Sequence, residues 1–444
     1  MPHLDWLLEI FTRTPEAAFM VWQDRPHTYA WLTERVGEWL RRLEEHRVPA
    51  GATVALRGDY SPEIVAALLA LIDRGVIVIP LSPAVATKEA EFLEIAETQY
   101  LVTADAIEPL GREVKHPLYR ELAGRGSPGL VLFSSGSTGK SKAALHDFAV
   151  LLEKFRVQRR GMVTLTFLMI DHIGGINTLF YVLSNSGTVV VSPSRDPNIV
   201  CETIARHRVE LLPTSPTFLN LLLLSEAWQR HDLSSLRLIT YGTEMMPKRT
   251  LERIAQVFPQ CTLQQTYGLS ELGILRSKSE SSDSLFVKVG GEGYETQVRN
   301  GILWIKARTA MLGYLNAPSP FDSDGWFNTG DMVEQQGEYL RFLGRESEII
   351  NVGGQKVYPA EVEEVLLTIP NVRDVTVAGE PNPITGNIVV ARCNLIEPEE
   401  PGPFKKRVRE LCRARMEPFK IPARIEIVEN DQFSGRFKKM RRQE

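Results

Sequence analysis

Residues 134–142, Ser134-Ser135-Gly136-Ser137-Thr138-Gly139-Lys140-Ser141-Lys142, hold the densest set of groups suited to chemistry in this sequence. Small side chains there let backbone N–H groups and hydroxyls approach phosphate oxygens, and Lys140 adds a point positive charge. The stretch follows a run with the character of a buried strand, Leu130-Val131-Leu132-Phe133, and the pattern after it predicts a helix over residues 143–155. Strand, Ser/Gly loop and helix in that order describe a polyphosphate site; without that context the same composition reads as a flexible surface loop. The spacing also meets the P-loop pattern G-x-x-x-x-G-K-[ST] except at its first position, where Ser134 replaces Gly. A P-loop NTPase further needs an apolar strand ending in a magnesium-binding Asp, and none stands at a convincing place.

The elements that must position this loop follow from length and patterning. A chain of 444 residues exceeds what one hydrophobic core usually organises, so a large domain with a smaller one is expected. With 43% hydrophobic and 24% charged residues, the material for a buried core is present. Residues 61–71 read as a helix and Gly75-Val76-Ile77-Val78-Ile79-Pro80 as the strand after it. The same alternation recurs at Gly187-Thr188-Val189-Val190-Val191 and Leu236-Arg237-Leu238-Ile239-Thr240. It predicts an α/β fold of mostly parallel sheets flanked by helices to about residue 270. From 291 to 342 short alternating strands with Gly, Asn and Asp turns predict a β-rich subdomain, with residues 277–284 a polar loop. After residue 344 a segment with its own pattern carries a hairpin, a helix over 359–366, strands around Val375 and Val389, and a basic helix from Phe404. The expected domains are 1–343 and 344–444, the second a small α+β unit.

A net charge of -4 gives no global case for nucleic acid or an anionic membrane as partner. Cys201, Cys261, Cys393 and Cys412 are widely spaced, which indicates neither a zinc site nor a disulfide framework. No run of about 18 apolar residues predicts a membrane span, and the early Asp5 does not suit a signal peptide, so a cytoplasmic location is expected.

Residues 134–142 resemble the signature loop of the adenylate-forming superfamily, which holds acyl-CoA synthetases, adenylation domains of peptide synthetases, and luciferases. Further motifs follow in that family's order from about residue 130 to the end. Tyr241-Gly242-Thr243-Glu244-Met245-Met246-Pro247 resembles its adenine-contacting turn, and Thr266-Tyr267-Gly268-Leu269-Ser270-Glu271 its Y-G-x-[ST]-E motif. In that motif the aromatic stacks near adenine, Ser270 meets phosphate and Glu271 holds magnesium, a flat apolar face, a donor and a hard ligand in one turn. Taken alone, such a turn reads as a helix cap. Trp326-Phe327-Asn328-Thr329-Gly330-Asp331 resembles the motif whose Asp accepts from both ribose hydroxyls, a match of two acceptor oxygens to two neighbouring donors. Gly313-Tyr314 resembles a structural G-Y motif.

The resemblance extends through Gly344-Arg345-Glu346-Ser347 and the loop at Gly353-Gly354-Gln355-Lys356. It implies that Arg345 contacts the nucleotide, and that Gly353, Gly354 and Lys356 line the path of a thiol arm. It also implies a mobile C-terminal domain that rotates between two half-reactions, re-using one site. Ser347 stands where the hinge usually carries Asp or Lys. Catalytic roles fall to Thr138, Lys140 and Glu271 and, near the C-terminus, to Arg436, which occupies the family's lysine position, or to Lys438. A guanidinium at 436 can still offset charge developing between carboxylate and α-phosphate.

For the acid, the resemblance points to Phe167-Leu168-Met169-Ile170-Asp171-His172-Ile173-Gly174-Gly175 and to Tyr241. His172 stands at the gate of CoA ligases, and Asp171 adjoins the position that binds the substrate amine in peptide synthetases; a capping Asp and a packed His are the plainer alternative. The implied reaction is ATP-dependent activation of a small carboxylic acid to acyl-AMP, then transfer to coenzyme A, with Mg2+ as cofactor. Loading of a separate acyl or peptidyl carrier protein through its phosphopantetheine is the second reading, and a non-catalytic nucleotide-binding protein a third.

Overall fold

The computed structural model describes residues 3–135, 141–433 and 439–441. Two seven-stranded sheets form its framework. The first runs in the order Thr262–Gln265, Leu238–Tyr241, Leu211–Thr214, Val163–Thr166, Thr188–Val191, Ala18–Trp22, Arg25–Thr28, parallel except for its last pair. The second runs Gly313–Tyr314, Ser141–Asp147, Gly129–Ser135, Ile77–Leu81, Thr53–Arg57, Tyr100–Val102, Ile107–Pro109, with its four central strands parallel and both margins antiparallel.

Two apolar helices, Pro62–Asp73 and Ile173–Ser184, form the layer between the sheets; their buried side chains share one cluster with Met20 and Val189 of the first sheet and Val54 and Leu130 of the second. A helix apolar on all sides is stable only when covered on all sides, which explains the near-continuous run Ile64-Val65-Ala66-Ala67-Leu68-Leu69-Ala70-Leu71-Ile72. Its start is fixed by Ser61, whose hydroxyl accepts from the Ile64 amide, and by Pro62 at the first helical position.

The helix expected over residues 143–155 is a misreading. Ser141–Asp147 is a strand, antiparallel to Gly129–Ser135 on one side and to Gly313–Tyr314 on the other, and only Phe148–Leu152 is α-helical. The Ala-Ala-Leu run has helical propensity, but two ready sheet neighbours outweigh it. The Ser/Gly loop therefore joins two strands and opens no helix, which removes the structural context of a P-loop.

Six antiparallel strands follow, in the order Arg276–Ser279, Val287–Gly290, Tyr339–Arg345, Phe327–Gln336, Ile302–Ala307, Tyr294–Arg299. This β-rich part begins earlier than expected, because residues 276–279 form a strand. Serine hydroxyls there cover an open sheet edge: Ser279, Ser282 and Ser277 accept from the amides of Gln265, Leu263 and Tyr267 at 2.8, 3.1 and 3.1 Å.

The C-terminal part has its own five-stranded sheet and its own core, in which Val357, Val362, Leu366, Val375, Phe404 and Val408 meet. The helices Pro359–Leu366 and Pro401–Arg415 pack on that sheet. All four cysteines are buried; burial pushes the thiols of Cys201 and Cys393 up to about 12, and those of Cys261 and Cys412 up to about 11. Among the described residues no helix is long and apolar enough to cross a membrane.

Candidate active site

Two adjacent strands of the first sheet deliver the turns that the sequence singles out. Leu238–Tyr241 ends in Gly242-Thr243-Glu244, and Thr262–Gln265 ends in Thr266-Tyr267-Gly268, both at carboxyl ends of parallel strands, where ligands of such sheets bind. The turns are stitched together: the Thr266 amide donates to the Tyr241 carbonyl at 2.8 Å. A Cβ on Gly242 would stand 2.6 Å from Thr266 Oγ1 and 2.7 Å from its carbonyl oxygen, so only glycine permits this approach. Thr243 has φ 71°, a backbone strain for a β-branched residue, and its side chain is exposed. Tyr241 is buried, and burial raises its phenol.

Tyr267 stacks on Phe342 with ring centroids 4.6 Å apart, and its hydroxyl donates to Asp331 Oδ2 at 2.6 Å. Burial first, and the Asp331 charge second, push that phenol far above its ordinary value, so it remains a donor. The other oxygen, Asp331 Oδ1, lies 3.3 Å from Arg345 Nε. Antiparallel pairing explains this contact, since Asp331 and Arg345 are register partners on neighbouring strands. An aromatic face from one turn is thus gathered with a carboxylate and a guanidinium from a β-hairpin 64 or more residues further along the chain.

Glu271 is held by groups the sequence did not point to. Its Oε1 accepts from the Tyr314 hydroxyl at 2.6 Å, and its carbonyl accepts from the Met311 amide at 2.8 Å. His146, buried in the strand Ser141–Asp147, donates from Nε2 to the Ser270 carbonyl at 2.6 Å; burial lowers its pKa to about 4, so this ring is neutral near pH 7. Lys142 places its ammonium 5.1 Å from the centre of the Tyr314 ring. Tyr314, which resembled only a structural motif, therefore links Lys142 to Glu271. Gly136, Ser137, Thr138, Gly139 and Lys140 lie outside the described residues; the backbones that flank them pair Ser134 with Lys142 and Ser135 with Ser141.

Among the described residues no group of three or more His, Cys, Asp or Glu side chains could hold a metal ion. Magnesium that keeps its waters and the phosphates of a nucleotide as other ligands needs no such group, and a single carboxylate such as that of Glu271 would fit it.

On the acid side, His172 caps the helix Ile173–Ser184, its Nδ1 accepting from the Gly174 amide at 3.0 Å. Asp171 is buried and accepts from Ser82 Oγ at 2.7 Å. The plainer alternative of a capping Asp and a packed His is thus inverted: the histidine caps. A Cβ on Gly174 would meet Leu168 Cδ1 at 2.6 Å, and one on Gly175 the Met169 carbonyl at 1.9 Å, so both glycines serve close packing of this turn. Asp59, another residue the sequence did not flag, fixes the turn from the neighbouring sheet by accepting from the Ile170 amide at 3.3 Å.

Gly353 and Gly354 form the two-residue turn of the hairpin Ile350–Val352 and Gln355–Val357, with φ 57° and 84°. A hairpin turn with both central residues at positive φ selects glycine. A Cβ on either would meet nothing within 4 Å, so no other backbone comes close to them here. Lys356 lines a cleft of about 360 Å³ between Met245, Pro247 and Phe342 on one wall and Glu361, Glu363 and Lys439 on the other.

Glu244 has neighbours other than those the resemblance implies. Its Oε2 accepts from Thr217 Oγ1 at 2.9 Å and from the Lys439 amide at 3.3 Å, and burial raises its pKa to about 7. Lys439 and Arg441 are tied on their other side to Glu363: Arg441 spans both carboxylate oxygens at 2.8 and 2.7 Å, and Lys439 Nζ lies 3.6 Å away. Arg436 and Lys438 lie outside the described residues; Phe433 and Lys439, which flank them, form an antiparallel bridge.

The fold joins an α/β body to a small C-terminal unit, and comparison with known proteins defines the class. The chain belongs to the AMP-binding enzyme family: its model matches residues 8–126 and 120–315, and that of the AMP-binding enzyme C-terminal domain matches 361–437. The chain is 28% identical to an indoleacetate–CoA ligase of Aromatoleum aromaticum, over 90% of this chain and 89% of that one. It is 27% identical to the 2-succinylbenzoate–CoA ligase of Bacillus subtilis, over 96% and 94%. The structure of o-succinylbenzoate coenzyme A synthetase from Bacillus subtilis, in complex with ATP and magnesium ion, superposes with a TM-score of 0.77 at 23% identity, covering 99% and 98%.

Proposed function

We propose that this AMP-binding enzyme activates an aryl-substituted carboxylic acid with ATP, forming an acyl-AMP, and then transfers the acyl group to the thiol of coenzyme A. The observation that carries this reading is the convergence of Tyr267, Asp331 and Arg345, which offers a stacking face, ribose acceptors and a cation in one place. The preference for an aryl acid is supported by the relatives, whose names specify indoleacetate and 2-succinylbenzoate.

In the first step the substrate carboxylate attacks the α-phosphorus in line, and the α–β bridging bond breaks to release pyrophosphate toward residues 134–142. Arg436 or Lys438 offsets the charge that develops between the two anions. Glu271 holds magnesium, which when bound neutralises phosphate charge. Asp331 orients the ribose, and Tyr267 keeps Asp331 in place. In the second step residues 344–444 rotate about the region of Ser347, and a thiolate attacks the acyl carbonyl, expelling AMP. The exposed Gly353-Gly354 turn then guides the thiol arm, with Lys356 beside it. His172 and Tyr241 border the acid, and its ring packs against the apolar stretch 167–170.

Acid-dependent ATP–pyrophosphate exchange across aryl, aliphatic and amino acids tests the first step, and CoA-thiol consumption tests the second. Exchange with aryl acids followed by loss of free thiol is expected. ATP binding without exchange for any acid would leave a nucleotide-binding protein instead.

A further inference from the structure

Residues 439–441 meet three parts of the molecule. Toward the C-terminal core, Lys439 Nζ donates to the Val375 carbonyl at 2.9 Å and lies 3.3 Å from Asp374, while Glu363 takes both Lys439 and Arg441. Toward the segment that follows Arg345, Arg441 pairs with Glu348 at 2.8 Å. These contacts are buried and charge-assisted, so the tail travels with the unit that holds Glu363. Toward the large body, the described contact is one hydrogen bond, from the Lys439 amide to Glu244. Glu244 is aimed there by Thr217, which stands on the helix Pro216–Ser225 of the large body.

We infer that Glu244 is a positioning residue: the N-terminal half of a latch that holds the C-terminal tail against the nucleotide face during the first half-reaction and releases it for the second. The inference rests on the two-step reading above. Lys439 lies three residues from Arg436 and one from Lys438, so the Glu244 bond tethers the chain beside both candidate cations in sequence. The geometry suits a latch better than a permanent joint. The donor is a backbone amide and the contact a single hydrogen bond, while the Lys439 ammonium is engaged by Val375, Asp374 and Glu363. Two neighbouring contacts share this design: Glu364 accepts from the Lys248 amide at 3.2 Å, and the Thr368 carbonyl accepts from Arg249 at 3.4 Å, so the interface near Glu244 is built from single bonds.

The test compares the half-reactions in the full-length enzyme. Glu244→Ala is expected to slow pyrophosphate exchange about tenfold, the loss of one buried hydrogen bond, while thioester formation from supplied acyl-AMP stays within about twofold. Glu244→Gln keeps an acceptor oxygen for the Lys439 amide and should recover most of the exchange. Thr217→Val, which removes only the orienting hydroxyl, should show the same split at smaller size. Equal losses in both half-reactions, no loss in either, or no recovery with Gln would overturn the latch. A readout independent of activity is the distance between fluorophores on new cysteines at the exposed positions Glu292 and Ile384. Glu244→Ala should broaden that distribution and Glu244→Gln should not. If the parent enzyme exchanges with no acid, the functional reading fails while this distance still decides the latch.

Discussion

The clusters around Asp331 and around Glu363 each set a carboxylate against a guanidinium, to opposite ends. Around Asp331, one carboxylate meets a phenol and a guanidinium whose side chain is 47% exposed. Around Glu363 the carboxylate is filled: the Val377 amide, both arms of Arg441 and the Lys439 ammonium occupy its lone pairs, and Glu363 is 3% exposed. An acid beside a half-exposed cation is open to a ligand; one closed in by buried partners is a structural joint. Exposure, rather than the charges themselves, separates a site from a joint.

Breaking the joint should have the largest effect. Glu363→Gln strands Lys439 and Arg441 in a buried setting and should cost about 3–5 kcal/mol of stability, read as a fall in urea midpoint. The pH dependence has a defined sign. Burial alone would raise the Glu363 pKa, but Lys439 and Arg441 overcome it and hold the value at about 2, against 4.5 for the free group. The stability contributed by the folded carboxylate is therefore present above pH 4.5 and is lost as pH falls toward 2; the Gln variant should lack this component of acid unfolding.

Breaking the site should instead spare the fold and remove activity. Asp331→Ala takes away the ribose acceptors and should lower kcat/KM for pyrophosphate exchange by about 30- to 150-fold, the equivalent of roughly 2–3 kcal/mol, with little change in urea midpoint. Tyr314→Phe removes the hydrogen bond that aims Glu271 and should cost about fivefold, most visibly at low magnesium. Tyr267→Phe keeps the stack on Phe342 and loses only the bond to Asp331, so about a threefold loss is expected. If Tyr267→Phe proved as damaging as Asp331→Ala, Asp331 would belong with the joints.

Local features were legible in the sequence and long-range partners were not. Ser61-Pro62 and the apolar run behind them announce a buried helix, and Pro359 starts a helix that ends at Leu366 as expected. Gly242 and Asp331 could be singled out because their motifs carry their chemistry within a few residues. Tyr314 with Glu271, His146 with Ser270 and Lys439 with Glu244 are separated by 43, 124 and 195 residues, and no local spacing signals such pairs. The strand Ser141–Asp147 was missed for the same reason, since its sheet neighbour Gly313–Tyr314 comes from far along the chain. Asp59 carries no motif at all; its role appears only when two sheets bring their carboxyl ends together.

The burial of all four cysteines has a chemical consequence for an enzyme that makes acyl anhydrides. An acyl-AMP will acylate any thiolate within reach, and each turnover places one inside the protein that made it. Cys201, Cys261, Cys393 and Cys412 are buried, and burial pushes their thiols to about 11 or 12, so almost none is ionised near neutral pH. The enzyme is thereby protected from self-acylation, and the thiol that captures the product is the one that diffuses in.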